Sequence, residues 1–321
     1  MNQQQLHQYF TQHYVDLAQA RLGGETLACS DDFFAEMENL IKPGRGVFID
    51  DKYTDRGKWM DGWESRRSYG RDNGRDEDWC VLRLGVAGVI RGVDVDTNHF
   101  KGNAPQSIMV EATNTTGSPE NAEWRVIVAQ SDTNAHSQNL FEVESDQVWT
   151  HVRITMYPDG GIARFRVFGD PVLDMNNFVA GELIDLAAIK NGAKNNLIMP
   201  GRGINMGDGW ETKRRRDPGP DWSVVKLATR GVIKKAIIDT AHFKGNFPDT
   251  FSLEGCVSDD ESVLAGEAQW QPVIERTKLF ADREHLFIDE ICNNETAFTH
   301  VRLNIFPDGG VSRMRLFGSI A

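Results

Sequence analysis

The five residues HFKGN stand at 99–103 and again at 242–246, each time just behind an Asp-Thr pair. One short loop thus carries an acid, an imidazole, an ammonium and a carboxamide, twice. Such a set suits a urea-like group, whose N–H and C=O edges match the hydrogen-bonding edges of Asn and His. A second set lies in DGWESRR at 61–67 and DGWETKR at 208–214, where Asp and Glu flank an indole and precede two cations. A carboxylate beside a cation can act as general acid or base on an anionic substrate. For Trp63 and Trp210 we favour a buried structural role, and for Glu64 and Glu211 a functional one.

A third set lies on alternating stretches. HVRITMY at 151–157 sets Val152, Ile154 and Met156 against His151, Arg153 and Thr155, and IARFRVF alternates likewise after PDGG. The pattern predicts a β-hairpin, with proline starting the turn and glycines supplying positive φ. A loop over 158–161 would place Arg153 opposite Arg166, and the same register would place Arg302 opposite Arg315. Facing arginines repel unless an anion or a carboxylate lies between them. Either acids on a neighbouring strand neutralise them or a substrate does.

The elements that must position these residues come as a tandem repeat. Residues 78–105 match 221–248 at 15 of 28 positions, and 150–169 match 299–318 at 12 of 20. NLIKPGRG at 39–46 recurs as NLIMPGRG at 196–203, and the order is kept throughout. This predicts two duplicated domains, 1–170 and 171–321, joined near 170–185. The strand candidates WCVLRL, VDVD and SIMVEA are separated by turn residues, as in antiparallel sandwiches. Helix is expected mainly at the start of each unit, around HQYFTQHYVDLAQARL and ELIDLAAIKN. The fold class is therefore all-β, two jelly-roll, galactose-binding-like sandwiches with minor helix.

The copies differ in two places. The first carries ETLACSDDFFAEME before its NLI motif, where the second lacks roughly a dozen residues, and it alone inserts VFIDDKYTDRGKW between PGRG and DGWE. An insertion of this kind is a candidate lid, and it points to the first repeat as the catalytic one.

Composition sets outer bounds. With 321 residues, 40% of them hydrophobic, and a net charge of -12, the chain reads as globular and ill-suited to nucleic acid. No apolar run reaches bilayer length, and the N-terminus lacks a secretory pattern, so a cytoplasmic location is expected. The four cysteines form no CxxC pair and are expected to be buried thiols. Zinc-protease, P-loop and serine-hydrolase motifs are absent from the sequence.

In the joint order of ACSDDFF, KPGR, KYTDRGKWMDGWESRR, DWC, DTNHFKGN, THVR and PDGG, the chain resembles the allantoicase family over nearly its whole length. The resemblance implies a double jelly-roll hydrolase that converts allantoate and water to ureidoglycolate and urea, working as a homo-oligomer. On that reading the candidate catalytic residues are Asp61, Glu64, His99, Glu211 and His242. The candidate substrate-binding residues are Arg66, Arg67, Lys101, Asn103, His151, Arg153 and Arg166, with Lys244, Asn246, His300 and Arg302 in the second copy. No cofactor is required by the sequence, and a divalent metal such as manganese, held by Asp and His, is compatible with it. A rival reading from another class is a non-catalytic carbohydrate-binding double jelly roll; a third is a purely structural subunit.

Overall fold

The computed structural model describes residues 1–69, 76–172, 183–187 and 196–321. The chain divides into two compact units, Met1–Val172 and Leu173–Ala321. In the first, helix α1 (Gln3–His13) precedes strands β1 (Val15–Asp16), β2 (Glu25–Cys29), β3 (Tyr53–Thr54), β4 (Gly57–Lys58) and β5 (Trp63–Glu64). There follow β6 (Asp78–Asp96), β7 (Ser107–Thr113), β8 (Arg125–Asp132), β9 (Gln138–Glu142), β10 (Val148–Tyr157), β11 (Gly161–Ile162) and β12 (Arg164–Pro171). The second unit holds β13 (Ile184–Asp185), β14 (Trp210–Glu211), β15 (Asp221–Asp239), β16 (Thr250–Cys256) and a short helix α2 (Asp260–Leu264). It ends with β17 (Gln271–Lys278), β18 (Glu284–Phe287), β19 (Ala297–Phe306), β20 (Gly310–Val311) and β21 (Arg313–Ile320).

The first unit is organised around β6. WCVLRL and VDVD, read as two strands, are the two ends of this single element. Residues 80–83 lie between β10 and β2, whereas residues 92–96 lie between β12 and β9, so the strand passes from one layer of the sandwich to the other. Gly88 marks the change, since a Cβ there would stand 2.5 Å from the Asp170 carbonyl oxygen. The outer order β1-β12-β6-β10-β7-β8 is repeated as β13-β21-β15-β19-β16-β17.

This arrangement corrects the hairpin expectation. β10 and β12 do not pair, because β6 runs between them. Arg153 pairs in register with Val81 and Glu111, and Arg166 with Asp94. Each arginine also has its own carboxylate, Arg153 with Glu111 at 2.6 Å and Arg166 with Asp16 at 3.5 Å. In the second unit Arg302 binds Glu254 at 2.8 Å and Arg315 lies 3.6 Å from Asp185. The alternation itself holds: Val152, Ile154 and Met156 are fully buried.

Each unit has a separate core, the first including Trp63, Leu82, Val152 and Phe165, the second Val225, Phe251, Val301 and Met314. Helix α1 stops at His13 where a longer helix was expected, and Val15–Asp16 is a strand. In the second unit Ile184–Asp185 is likewise strand and Leu186–Ala187 a turn, while positions 182 and 188–191 of the expected helix and most of the junction lie outside the described residues. Cys80 and Cys256 are buried, whereas Cys29 and Cys292 are only partly so, and all are free thiols. No helix among the described residues is long and apolar enough to cross a membrane.

One buried acid is unbalanced. Asp94 on β6 accepts from Gln138 Nε2 at 2.7 Å, but its other oxygen has no partner among the described residues. Burial, and then the neighbouring Asp96, push its carboxyl up to about 7. A carboxyl whose pKa is higher folded than unfolded favours the fold at low pH, and that stability is lost as pH rises from the ordinary carboxylate range to about 7. Asp94→Asn should therefore raise the melting temperature at pH 8 while changing it little at pH 4; thermal scans at the two pH values check this.

Candidate active site

Three recurring motifs meet at one end of each sandwich. PDGG does so by sending β11 away from the main sheet to pair with β5, which sets Gly161 opposite Glu64. The Gly161 N–H donates to the Asn103 carbonyl at 2.7 Å, fixing the HFKGN loop against the same turn. The Phe100 ring occupies the space a Gly161 side chain would need, with a ring carbon 2.0 Å from where a Cβ would stand. The second unit repeats the construction, with Gly310 N–H on the Asn246 carbonyl at 2.8 Å and Phe243 over Gly310.

Under the turn lies a buried ion pair. Arg164 Nη2 meets Asp61 Oδ2 at 2.7 Å, and Arg164 Nη1 donates to the Asp61 carbonyl at 3.0 Å. Burial alone would raise the Asp61 carboxyl; Arg164 and the Val47 N–H overcome it and hold it below the usual range. Asp208 and Arg313 form the same pair at 2.7 Å. Asp61, expected among the catalytic residues, lies in this buried pair beneath the DGWE turn.

Glu64, His99, Lys101 and Asn103 are brought together around a cavity of about 300 Å³, with Phe34, Arg56, Lys58 and Met60. Asn103 Nδ2 donates to Glu64 Oε1 at 2.7 Å. Burial raises the Glu64 carboxyl above the ordinary range, and the Asn103 amide and the Arg67 charge oppose the shift without cancelling it. His99 has a left-handed backbone, φ 71, steadied by its N–H donating to His136 Nδ1 at 2.8 Å. Burial, and then His136, lower the His99 imidazole pKa, so its neutral form is favoured. Lys101 is exposed and has no partner among the described residues.

The first-repeat insertions form the wall of this cavity. The 47–59 loop folds as the small hairpin of β3 and β4, and its Phe48 stacks on His99 with centroids 5.5 Å apart. Arg56 reaches the Phe33 carbonyl at 2.9 Å, tying the loop to ACSDDFF. That segment is pinned in turn: Glu64 N–H donates to Ala35 O at 3.0 Å, and Phe34 N–H to Glu64 O at 3.1 Å.

The other candidates are placed elsewhere. Arg66 binds Asp31, Nε to Oδ2 at 2.7 Å, and lies over Phe33. His151 is buried against Thr150 Oγ1 at 2.9 Å, at the opposite end of β10 from the loop, roughly 20 Å along the strand from Tyr157. Arg153 sits over Trp124 as well as on Glu111, and Arg302 over Trp270 as well as on Glu254. His300 lies 3.2 Å from Asp260. In the second unit Asn246 again donates to Glu211, which is exposed, and His242 binds the Gly203 carbonyl at 2.8 Å. Lys244 stands 3.8 Å from Asp282, the acid that replaces His136 as acceptor of the loop N–H. Sequence reasoning missed Phe34, Arg56, Lys58 and His136. For Arg56 and Lys58 the signal was the insertion itself; for His136 it was only that a histidine faces an aspartate in the other copy.

An allantoicase-repeat family model matches residues 15–172 and again 175–321. The chain belongs to the allantoicase family. It is 46% identical to a probable allantoicase of Burkholderia mallei over 97% of this chain and 96% of the relative, and 44% identical to the allantoicase of Dictyostelium discoideum over 94% and 86%. Among solved structures, the allantoicase of Saccharomyces cerevisiae superposes with a TM-score of 0.73 at 37% identity, covering 95% of this chain and 93% of that one. A further allantoicase structure gives a TM-score of 0.75 at 35% identity with the same coverage. The expected family and the duplicated sandwich architecture are therefore borne out.

Manganese finds no ready donor set: among the described residues no three His, Cys, Asp or Glu side chains converge. His136 Nδ1 is already engaged by the His99 N–H, and Asp61 by Arg164.

The roles of Asp61 and Arg153 separate in a stability measurement. Asp61→Ala strands a buried guanidinium and should cost about 3–5 kcal/mol, read by urea denaturation. Arg153→Lys should keep turnover and lose at most about 1 kcal/mol, since its guanidinium is partly exposed. A stable but inactive Asp61→Ala protein would return that residue to the chemistry.

Proposed function

We propose that this chain hydrolyses allantoate to ureidoglycolate and urea, and that the first-repeat cavity carries the reaction. The single observation behind the placement is the Glu64–Asn103 dyad, closed in by segments only the first repeat possesses. Net chemistry breaks one bond from the central carbon to a ureido nitrogen; water leaves its hydroxyl on that carbon and its proton with urea. The proton needs a carrier. Glu64 fits, because burial keeps it protonated to higher pH than an exposed glutamate, and it can pass the proton to the departing nitrogen and recover it from water. Asn103 orients a ureido arm while bonded to Glu64, and neutral His99 can accept or donate at the second arm. Lys101 is the cation left for the substrate carboxylate, since Arg56 and Lys58 are engaged with carbonyl groups of the surrounding loops. The lid limits competing water.

The carbohydrate-binding alternative is disfavoured by this charged lining, and galactosides serve as binding controls. A cytoplasmic homo-oligomer accompanies the proposal, and light scattering of the purified protein checks the assembly. Purified protein should release one urea per allantoate, with or without added manganese. Glu64→Gln should lower kcat by about 10²–10⁴-fold, whereas Glu211→Gln should not approach that loss. A larger loss from Glu211→Gln would move the chemistry to the second repeat.

A further inference from the structure

The ACSDDFF segment of the first repeat behaves as a built-in ligand of the surface beneath it. Asp31 Oδ1 accepts from the Arg66 N–H at 2.9 Å, its Oδ2 from Arg66 Nε at 2.7 Å, and its carbonyl from Trp63 Nε1 at 2.8 Å. Trp79 lies under the same segment, its carbonyl accepting from the Ser30 N–H at 2.9 Å. The second repeat lacks that segment but keeps the receiving surface. Trp210, Lys213 and Trp222 stand at the positions of Trp63, Arg66 and Trp79.

All three line one open concavity of about 610 Å³, together with Arg214, Arg215 and Arg216 and the acids Asp217 and Asp221. The Trp210 indole N–H, the Lys213 main-chain N–H and the Lys213 ammonium have no partner among the described residues. The Trp222 indole is 60% exposed. Arg215 does not share this freedom: it binds Asp217 at 2.6 Å and Asp221 at 2.7 Å, which steadies the loop that carries its neighbours. On a chain of net charge -12, cations left without carboxylates mark a place for an anion.

We propose that this concavity is a second ligand site, for a small N-carbamoyl carboxylate. In an aspartate residue two atoms separate the side-chain carboxylate from the main-chain carbonyl. In an N-carbamoyl amino acid two atoms likewise separate the carboxylate from the ureido carbonyl. The ligand thus reproduces both acceptors that Asp31 offers in the first repeat, with the carboxylate on Lys213 and the carbonyl on the Trp210 N–H. Trp222 gives the planar ureido group a face to lie on, and Arg214 adds charge. The choice of ureido acids over other carboxylates rests on the allantoate reading above; the site itself does not.

The test uses N-carbamoylglycine, which carries both acceptors and lacks the doubly substituted carbon. Indole N–H resonances of the full chain, labelled with ¹⁵N, are followed during titration, and the Trp210 signal is assigned by its loss in Trp210→Phe. The Trp210 signal should shift, Lys213→Ala should weaken that response about tenfold or more, Trp222→Ala should weaken it too, and Glu64→Gln should leave it unchanged. No shift at Trp210, or an unchanged affinity in the exposed Lys213→Ala variant, would overturn the proposal. So would a response to N-acetyl-aspartate amide without one to N-carbamoylglycine, which would indicate a docking place for an acidic chain segment. Urea release from allantoate is measured on the same samples. Hydrolysis without a Trp210 shift defeats this inference alone, and a shift without hydrolysis defeats the functional reading while leaving the site standing.

Discussion

The pair Asp61–Arg164, and its copy Asp208–Arg313, is the contact on which the rest depends. Charges this well buried are tolerated only when paired and hydrogen-bonded, and here each partner makes further bonds: Arg164 to two carbonyls, Asp61 to the Val47 N–H. One interaction therefore fixes the DGWE turn, the strand that follows PDGG and the root of the lid. Glu64 comes three residues after Asp61, and its place beside Asn103 follows. Because both repeats keep the pair, both keep the skeleton of the site.

The repeats then diverge by what covers that skeleton. In the first, ACSDDFF and the 47–59 hairpin close over Glu64, and its burial raises the carboxyl above the ordinary glutamate range. In the second, Glu211 is exposed although it keeps its Asn246 partner. The covering segment satisfies Trp63 and Arg66 in the first copy; in the second, which lacks it, Trp210 and Lys213 have no hydrogen-bond partner among the described residues. The duplication keeps one scaffold, and two segments of the first repeat cover it in that copy alone.

Much of this was legible in the sequence. The duplication and the sandwich class follow from motif order and alternation, since these reflect local pattern, whereas the meeting of HFKGN with DGWE depends on the β5–β11 pairing that no motif spells out. The hairpin was misread because alternation reports which face a residue takes, not which strand lies beside it; β6, distant in sequence, intervened between Arg153 and Arg166. His136 was invisible for a related reason: it reaches His99 across 37 residues through a left-handed turn that no periodicity encodes. Asp61 and Glu64 share one motif but not one environment, and only packing distinguishes the buried ion pair from the raised carboxyl.

The central claim is that the first-repeat cavity, with Glu64 and Asn103 at its base, holds the substrate. A crystal structure of the Glu64→Gln protein with allantoate tests it most directly. The account predicts allantoate in that cavity, a ureido arm on Asn103 and the carboxylate near Lys101. Allantoate bound only outside the cavity, with Glu64 and Asn103 untouched, would contradict it.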